Sequence, residues 1–156
     1  MFEENYKFIV DSMLGRLAKW IRILGYDTKY LREGTQFDLV RISLSENRII
    51  ITRNKRLSKK LTNKVILIHS EKLEEQLNEL FLQIKLTDKN MLSLCVECNY
   101  PLLEIEKEKI KNIVPQYVYD TNNKFYICQK CNKVFWPGTH VEHMKKIISS
   151  VKKNYV

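Results

Sequence analysis

The sequence predicts an α/β fold with a parallel sheet, followed by a small cysteine-bound module. Over residues 1–90, short β-branched runs alternate with longer stretches of helical periodicity, the pattern of an α/β layered domain. From Met91 onward the pattern changes to paired cysteines, several Asn, Pro101 and Pro115. The boundary is therefore placed at 90/91, giving parts 1–90 and 91–156. The segment joining them, with Met91, Leu92 and Leu94, is too short and apolar for a free linker, so the two parts are expected to pack together.

The elements follow in order. Residues 6–11 read as a buried strand. Residues 13–24 read as a helix, with Leu14, Leu17, Ala18, Ile21 and Leu24 on one stripe and Gly25 as its stop signal. A shorter strand is expected at 27–31, a helix at 36–45, a strand at 48–52, a short basic helix at 55–61, a strand at 65–69 and an amphipathic helix at 71–84. Strands separated by helices imply parallel pairing with right-handed crossovers. Ligands in such sheets sit beyond the carboxyl ends of the strands, where Asp11 and the turn Thr52-Arg53-Asn54 fall.

The four cysteines form two pairs, Cys95-Val96-Glu97-Cys98 and Cys128-Gln129-Lys130-Cys131. Two intervening residues let both sulfurs of a pair face one ion, and two such knuckles complete a tetrahedral thiolate shell. Disulfides and redox chemistry compete with this reading. A reducing compartment argues against the first, and a duplicated pair with no thiol left over argues against the second. Cys95, Cys98, Cys128 and Cys131 are thus the expected ligands of a closed, structural zinc. Ile105, Ile110, Ile113 and Val114, then residues 117–119 and 125–127, are expected to supply the strands of a zinc ribbon. A helix is expected from about Thr139, carrying His140 and His143; that pair suits a half-exposed surface or a phosphate contact better than a second metal.

Composition narrows the function. The chain has 156 residues, 27 Lys+Arg against 18 Asp+Glu and a formal charge of +9, and both parts are basic. That balance favours polyanionic partners, nucleic acid first. No apolar run approaches the ~20 residues that span a bilayer, so a membrane-spanning protein is excluded. Met1-Phe2-Glu3-Glu4 carries acids where a secretory signal carries bases, which places the chain in the cytoplasm.

Asp11 is the most conspicuous acid, because it ends the apolar run Phe8-Ile9-Val10 just ahead of a helix. It either caps that helix or binds a cation. Asp38 sits early in the second helix, where the dipole favours an acid in any case. Magnesium sites for phosphodiester cleavage need converging carboxylates; Asp11 and Asp38 are candidates, with Asp27, Glu33 or Glu71 as supplements. Residues 53–64 contain Arg53, Lys55, Arg56, Lys59, Lys60 and Lys64 and no acid. Such a run is either a solvated face or a surface for nucleic-acid backbone. Arg16, Lys19 and Arg22 would extend it, and Tyr117, Tyr119 or Trp136 would stack exposed bases unless they form ribbon core.

Taken together, Phe8-Ile9-Val10-Asp11-Ser12-Met13-Leu14-Gly15-Arg16-Leu17-Ala18-Lys19-Trp20, Leu24-Gly25-Tyr26-Asp27-Thr28 and Arg48-Ile49-Ile50-Ile51-Thr52-Arg53 resemble the Mut-seven C-terminal ribonuclease domain family, a PIN-like group. The resemblance continues through Glu75-Gln76-Leu77, Cys95 to Asn99, Val114-Pro115, Cys128 to Asn132 and Phe135-Trp136-Pro137-Gly138-Thr139-His140, and covers nearly the whole chain in order. It implies a PIN-like three-layer α/β/α nuclease domain over 1–90, then a four-cysteine zinc ribbon with a C-terminal helix over 91–156. It also implies RNA as substrate and a catalytic magnesium or manganese. Asp11 matches the family's first-strand aspartate, Asp38 an acid of its second helix, Arg16 a basic position of the first helix, and Arg53 the turn after the third strand.

One departure stands out. Where the family usually has Thr-Arg-Asp, this chain has Thr52-Arg53-Asn54, which keeps an oxygen but loses the charge that magnesium prefers. Asn54 either merely shapes the turn or weakens the catalytic set formed with Asp11 and Asp38. The expectation is a metal-dependent ribonuclease hydrolysing RNA phosphodiester bonds, with Arg16, Lys19, Arg53, Lys55 and Arg56 on the RNA. The alternative is a non-catalytic RNA-binding or ribonucleoprotein-associated module. A protein-interaction module, its charge serving only solubility, is a third reading.

Overall fold

Phe8-Ile9-Val10 is apolar at every position because both faces of its strand are covered, the mark of an interior parallel strand. In the computed structural model, which describes residues 5–61 and 64–153, this run is β1 (Phe8–Val10). It lies between β2 (Thr28–Tyr30) and β3 (Ile49–Thr52), with β4 (Val65–Leu67) outside β3. The sheet is parallel throughout, order β2-β1-β3-β4, with Val10 opposite Tyr30 on one side and Ile51 on the other.

Strand alternation sends side chains to two separate layers. Phe8, Val10 and Ile51 face α1 (Gly15–Ile23) and α4 (Leu73–Gln83) through Leu17, Ala18, Ile21, Leu77 and Leu80. Ile9 and Ile50 face α2 (Gln36–Glu46) and α3 (Lys55–Lys60) through Leu39 and Leu57. The result is the expected three-layer α/β/α arrangement. The first helix is divided: a 3-10 turn at Ser12–Leu14 precedes α1, because Asp11 caps that turn and sets its tight start. Gly25 ends α1 with φ +95°, and a Cβ there would stand 2.1 Å from the Asn90 carbonyl oxygen. No other residue tolerates both the backbone angle and the close approach.

The second part contains an antiparallel sheet, order β5-β6-β7, made by β5 (Leu102–Ile105), β6 (Phe125–Cys128) and β7 (Val134–Phe135). The segment expected to add a strand at 117–119 is instead helical, α5 (Gln116–Thr121). Val114 and Val118 are one helical turn apart and pack together with Ile110 and Phe125, so burial follows period four and not period two. Ile110 lies in a 3-10 turn at Lys107–Ile110, and Val114 in the turn that follows, so neither supplies a strand. Tyr119 and Trp136 belong to this small core, and Tyr117 is left 71% exposed.

The final helix, α6 (Thr139–Lys153), returns to the first sheet. Its Met144, Ile147, Ile148 and Val151 join the core of α1 and α4, and Val141 packs with Ile23 and Leu92. No helix among the described residues is long and apolar enough to cross a membrane.

Candidate functional site

The crossover from β1 runs through α1 over one face of the sheet, and that from β3 runs through α3 over the other. Adjacent parallel strands whose connections part in this way open a crevice beyond their carboxyl ends. Asp11 and Asn54 stand at that crevice.

Asp11 is half-buried and firmly held. Its N–H donates to the Ile51 carbonyl at 3.0 Å. Its Oδ1 accepts from the Ser12 N–H at 2.7 Å and Oδ2 from the Thr52 hydroxyl at 2.8 Å. Thr52 is fully buried, and its hydroxyl oxygen also accepts from the Asn54 N–H at 3.1 Å. A hydroxyl has one proton to give and lone pairs to receive, so Thr52 locks the ends of β1 and β3 together. The Tyr30 hydroxyl donates to the Ser12 carbonyl at 2.6 Å and pins the same turn from the β2 side. The sequence places Thr52 in the crevice turn without assigning it a role; a hydroxyl residue closing the run Ile49-Ile50-Ile51 is the signal for one.

Asn54 is the N-cap of α3. Its Oδ1 accepts from the N–H groups of Arg56 at 3.0 Å and Leu57 at 3.3 Å, so the asparagine shapes the turn as Asp would. Asp38 closes a capping box with Thr35: its Oδ2 accepts the Thr35 N–H at 2.9 Å, and its own N–H donates to the Thr35 hydroxyl. Those bonds from Thr35 hold the Asp38 carboxyl below the usual carboxylate range.

The expected supplements lie elsewhere. Asp27 precedes β2 at the amino end of the sheet, opposite to Asp11, and pairs with the buried Arg48 at 2.8 Å. Burial alone would raise its pKa, but hydrogen bonds from Arg48 and Asn99 and the Arg48 charge together outweigh that and lower it. Glu33 is exposed. Glu71 is 84% exposed and stands 3.7 Å from Arg53. Among the described residues, the one group of three or more His, Cys, Asp or Glu able to share an ion is the cysteine set.

The basic residues divide into free and committed ones. Arg16, Lys55 and Arg56 are exposed and form no ion pair among the described residues. Lys19 reaches Glu97 at 3.3 Å. Arg53 turns back to donate to the His69 carbonyl at 3.1 Å, while its Nε is buried with no partner among the described residues. Arg22 does not extend the patch. It donates to the carbonyls of Thr28 at 2.9 Å and Val96 at 2.8 Å, binding α1 and β2 to the first cysteine knuckle.

Cys95, Cys98, Cys128 and Cys131 bring their sulfurs within 4.8 Å of one another, and none is in a disulfide. Each knuckle turns on an Asn directly after its second cysteine, Asn99 at φ 58° and Asn132 at φ 62°. Asparagine is a residue that accepts this left-handed backbone. Asn99 N–H then bonds the Cys95 carbonyl at 2.9 Å, and Asn132 N–H bonds that of Cys128 at 2.7 Å. Burial pushes the Cys95 thiol up to about 12. Burial acts on Cys128 in the same sense, but the N–H groups of Cys131 and Lys130 overcome it and bring that thiol down to about 7. This set suits a structural metal such as zinc, which would displace the remaining protons on binding. His143 packs edge-on to Trp20, centroids 6.0 Å apart, and lies 4.0 Å from Glu74.

No curated protein sequence matches the chain. The profile of the Mut7-C RNAse domain does match, over residues 6–148, a span that holds both the Asp11 crevice and the four cysteines. With a parallel α/β/α sheet, a cysteine-clustered ribbon and that match along nearly its whole length, the chain belongs to the Mut7-C RNAse domain family.

Proposed function

We propose that this protein is a divalent-metal-dependent ribonuclease that hydrolyses RNA phosphodiester bonds in the cytoplasm, with zinc holding its ribbon. The observation that carries the reading is Asp11, presented at the β1/β3 crevice and fixed there by Thr52 and Ser12. The family supplies RNA as substrate or partner.

Asp11 Oδ1 accepts from the N–H and the hydroxyl of Ser12, whereas Oδ2 accepts only from Thr52 and keeps a lone pair for another contact. Magnesium is commonly held by one or two carboxylates together with waters and substrate phosphates, so Asp11 fits the part of an anionic anchor. Asn54 would contribute by releasing its cap and Asp38 through Oδ1, which lies outside the capping box and 3.8 Å from Arg41, so the site is lean. When bound, magnesium or manganese would supply phosphate charge neutralisation and an acidified water.

The chain's own groups do the rest. Thr52 keeps the Asp11 carboxylate from rotating. Arg16, Lys19, Lys55 and Arg56 would grip neighbouring phosphates, and Arg53, held at the crevice by the His69 carbonyl, would add its charge. Asn54 in place of the family's Asp lowers the negative charge at the crevice, so cleavage is expected to be slow.

The test is cleavage of single-stranded and structured RNA in magnesium or manganese. Asp11→Asn is expected to lower the rate by about 100-fold or more, and Asn54→Asp to raise it on the order of tenfold. Because Asp caps a helix as well as Asn, the second variant changes charge with little effect on folding. A rate indifferent to Asp11→Asn, or no cleavage with either ion, ends the enzyme reading. The second reading, a non-catalytic RNA or ribonucleoprotein module, is favoured by the capping roles of Asp38 and Asn54. RNA binding that falls steeply with salt and ignores magnesium supports it.

A further inference from the structure

We infer that the cleft between α2 and α3 is a single-stranded RNA subsite, in which one unpaired base stacks on Phe37 and the flanking phosphates meet Lys55, Arg56 and Lys60. The inference rests on the ribonuclease reading above and deepens it, from RNA in general to unpaired RNA with a defined stacking residue.

Phe37 lies in the first turn of α2 and is 74% exposed. An isolated exposed apolar side chain needs no explanation; the surroundings of this one do. It forms one wall of an open cleft of about 690 Å³, floored by Val40 and the buried Leu57 and walled on the far side by Lys55, Arg56 and Lys60. No acidic residue lines it, and these three cations form no ion pair among the described residues. That volume falls within the roughly 300–1,000 Å³ of sites that enclose a small organic group, so a nucleoside has room.

Both helices occupy the same face of the sheet, held by Leu39 and Leu57 on Ile9 and Ile50, which fixes the spacing of the walls. Asn54 also lines the cleft, and its N–H bonds the Thr52 hydroxyl that holds Asp11. A strand lying in the cleft therefore continues directly to the candidate acid.

An aromatic ring beside a cationic rim matches a nucleic acid whose bases are available. In a duplex the base faces are already stacked and the ring finds only an edge. An acidic peptide would satisfy the cations but gives the ring no planar partner.

The test is fluorescence anisotropy of the zinc-loaded full chain with a labelled 12-nucleotide oligouridylate, and with a blunt duplex of equal length, in buffer without added divalent ion. Phe37→Ala is expected to weaken single-strand binding by roughly 5- to 150-fold, the loss of one stacked base, and Phe37→Trp to preserve it. Duplex binding should be unchanged by either substitution. The inference is overturned if Phe37→Ala binds the single strand as tightly as the native chain, or loses the duplex equally. Phe37-dependent binding of polyglutamate would overturn it too. The readout needs no cleavage: a chain that binds this way yet never cuts ends the nuclease reading and leaves the subsite standing. Loss of the subsite with intact cleavage does the reverse.

Discussion

The two candidate sites are built on opposite plans. Each cysteine pair is local, three positions apart on one knuckle, and folding need only bring two finished halves together to place all sulfurs within 4.8 Å. The acid site draws on the ends of β1 and β3 and on two helix caps, and its side chains are mostly occupied by the backbone they terminate. One site draws its full ligand set from the chain itself. The other is anchored at Asp11 and would be completed by ion and substrate together. A closed shell suits stability, and an open one suits turnover.

That contrast can be broken where the effect is largest. Removing the metal with a strong chelator, or replacing Cys128 with Ser, is expected to unfold residues 95–138, since such sites contribute an apparent ~10–16 kcal/mol. Amide resonances of Phe125 to Val134 report it; a ribbon that keeps its dispersion without metal refutes the zinc assignment. The crevice should respond more mildly. Thr52→Val removes a buried donor to Asp11 and an acceptor for Asn54, an expected cost of about 1–3 kcal/mol measured by denaturant unfolding. A change within error would mean that the hydroxyl does not fix the crevice.

The smallest effect lies in the joint between the two regions. The folded state lowers the Asp27 pKa, so its contribution is present above the unfolded value near ~3.9 and is lost as pH falls through the folded one. Asp27→Asn should therefore lower stability at neutral pH and flatten its decline below about pH 4. Parallel acid titrations of the two chains would refute this joint if their slopes coincide. Asp38, Glu46 and Glu79 are lowered in the same direction and remain in both chains.

How legible each feature was follows from how local it is. The apolar runs of β1 and β3 and the stripe on α1 are read along a few consecutive residues, and the structure returns them with small changes at the ends. The cysteine knuckles carry their turning residue, Asn99 or Asn132, within the motif. Residues 117–119 suited either period, and only the packing of Val114 and Val118 against Phe125 selects the helix. Arg22 lies among Arg16 and Lys19 in sequence, yet turns inward because the knuckle docks beside it, which no property of α1 specifies. The Thr52 relay and the Phe37 cleft were equally hidden: each depends on register between strands, or spacing between helices, remote in sequence.

The docking of that knuckle also bears on how the protein avoids sticking to itself. A border strand normally presents unpaired amide and carbonyl groups to any passing chain. At Thr28 of β2 both are taken: the N–H by the Asn99 side chain at 3.0 Å and the carbonyl by Arg22 at 2.9 Å. The first knuckle and α1 thus act as a fender over this point of the open edge, and a metal that shapes the ribbon would guard it, at one remove, against intermolecular β-pairing.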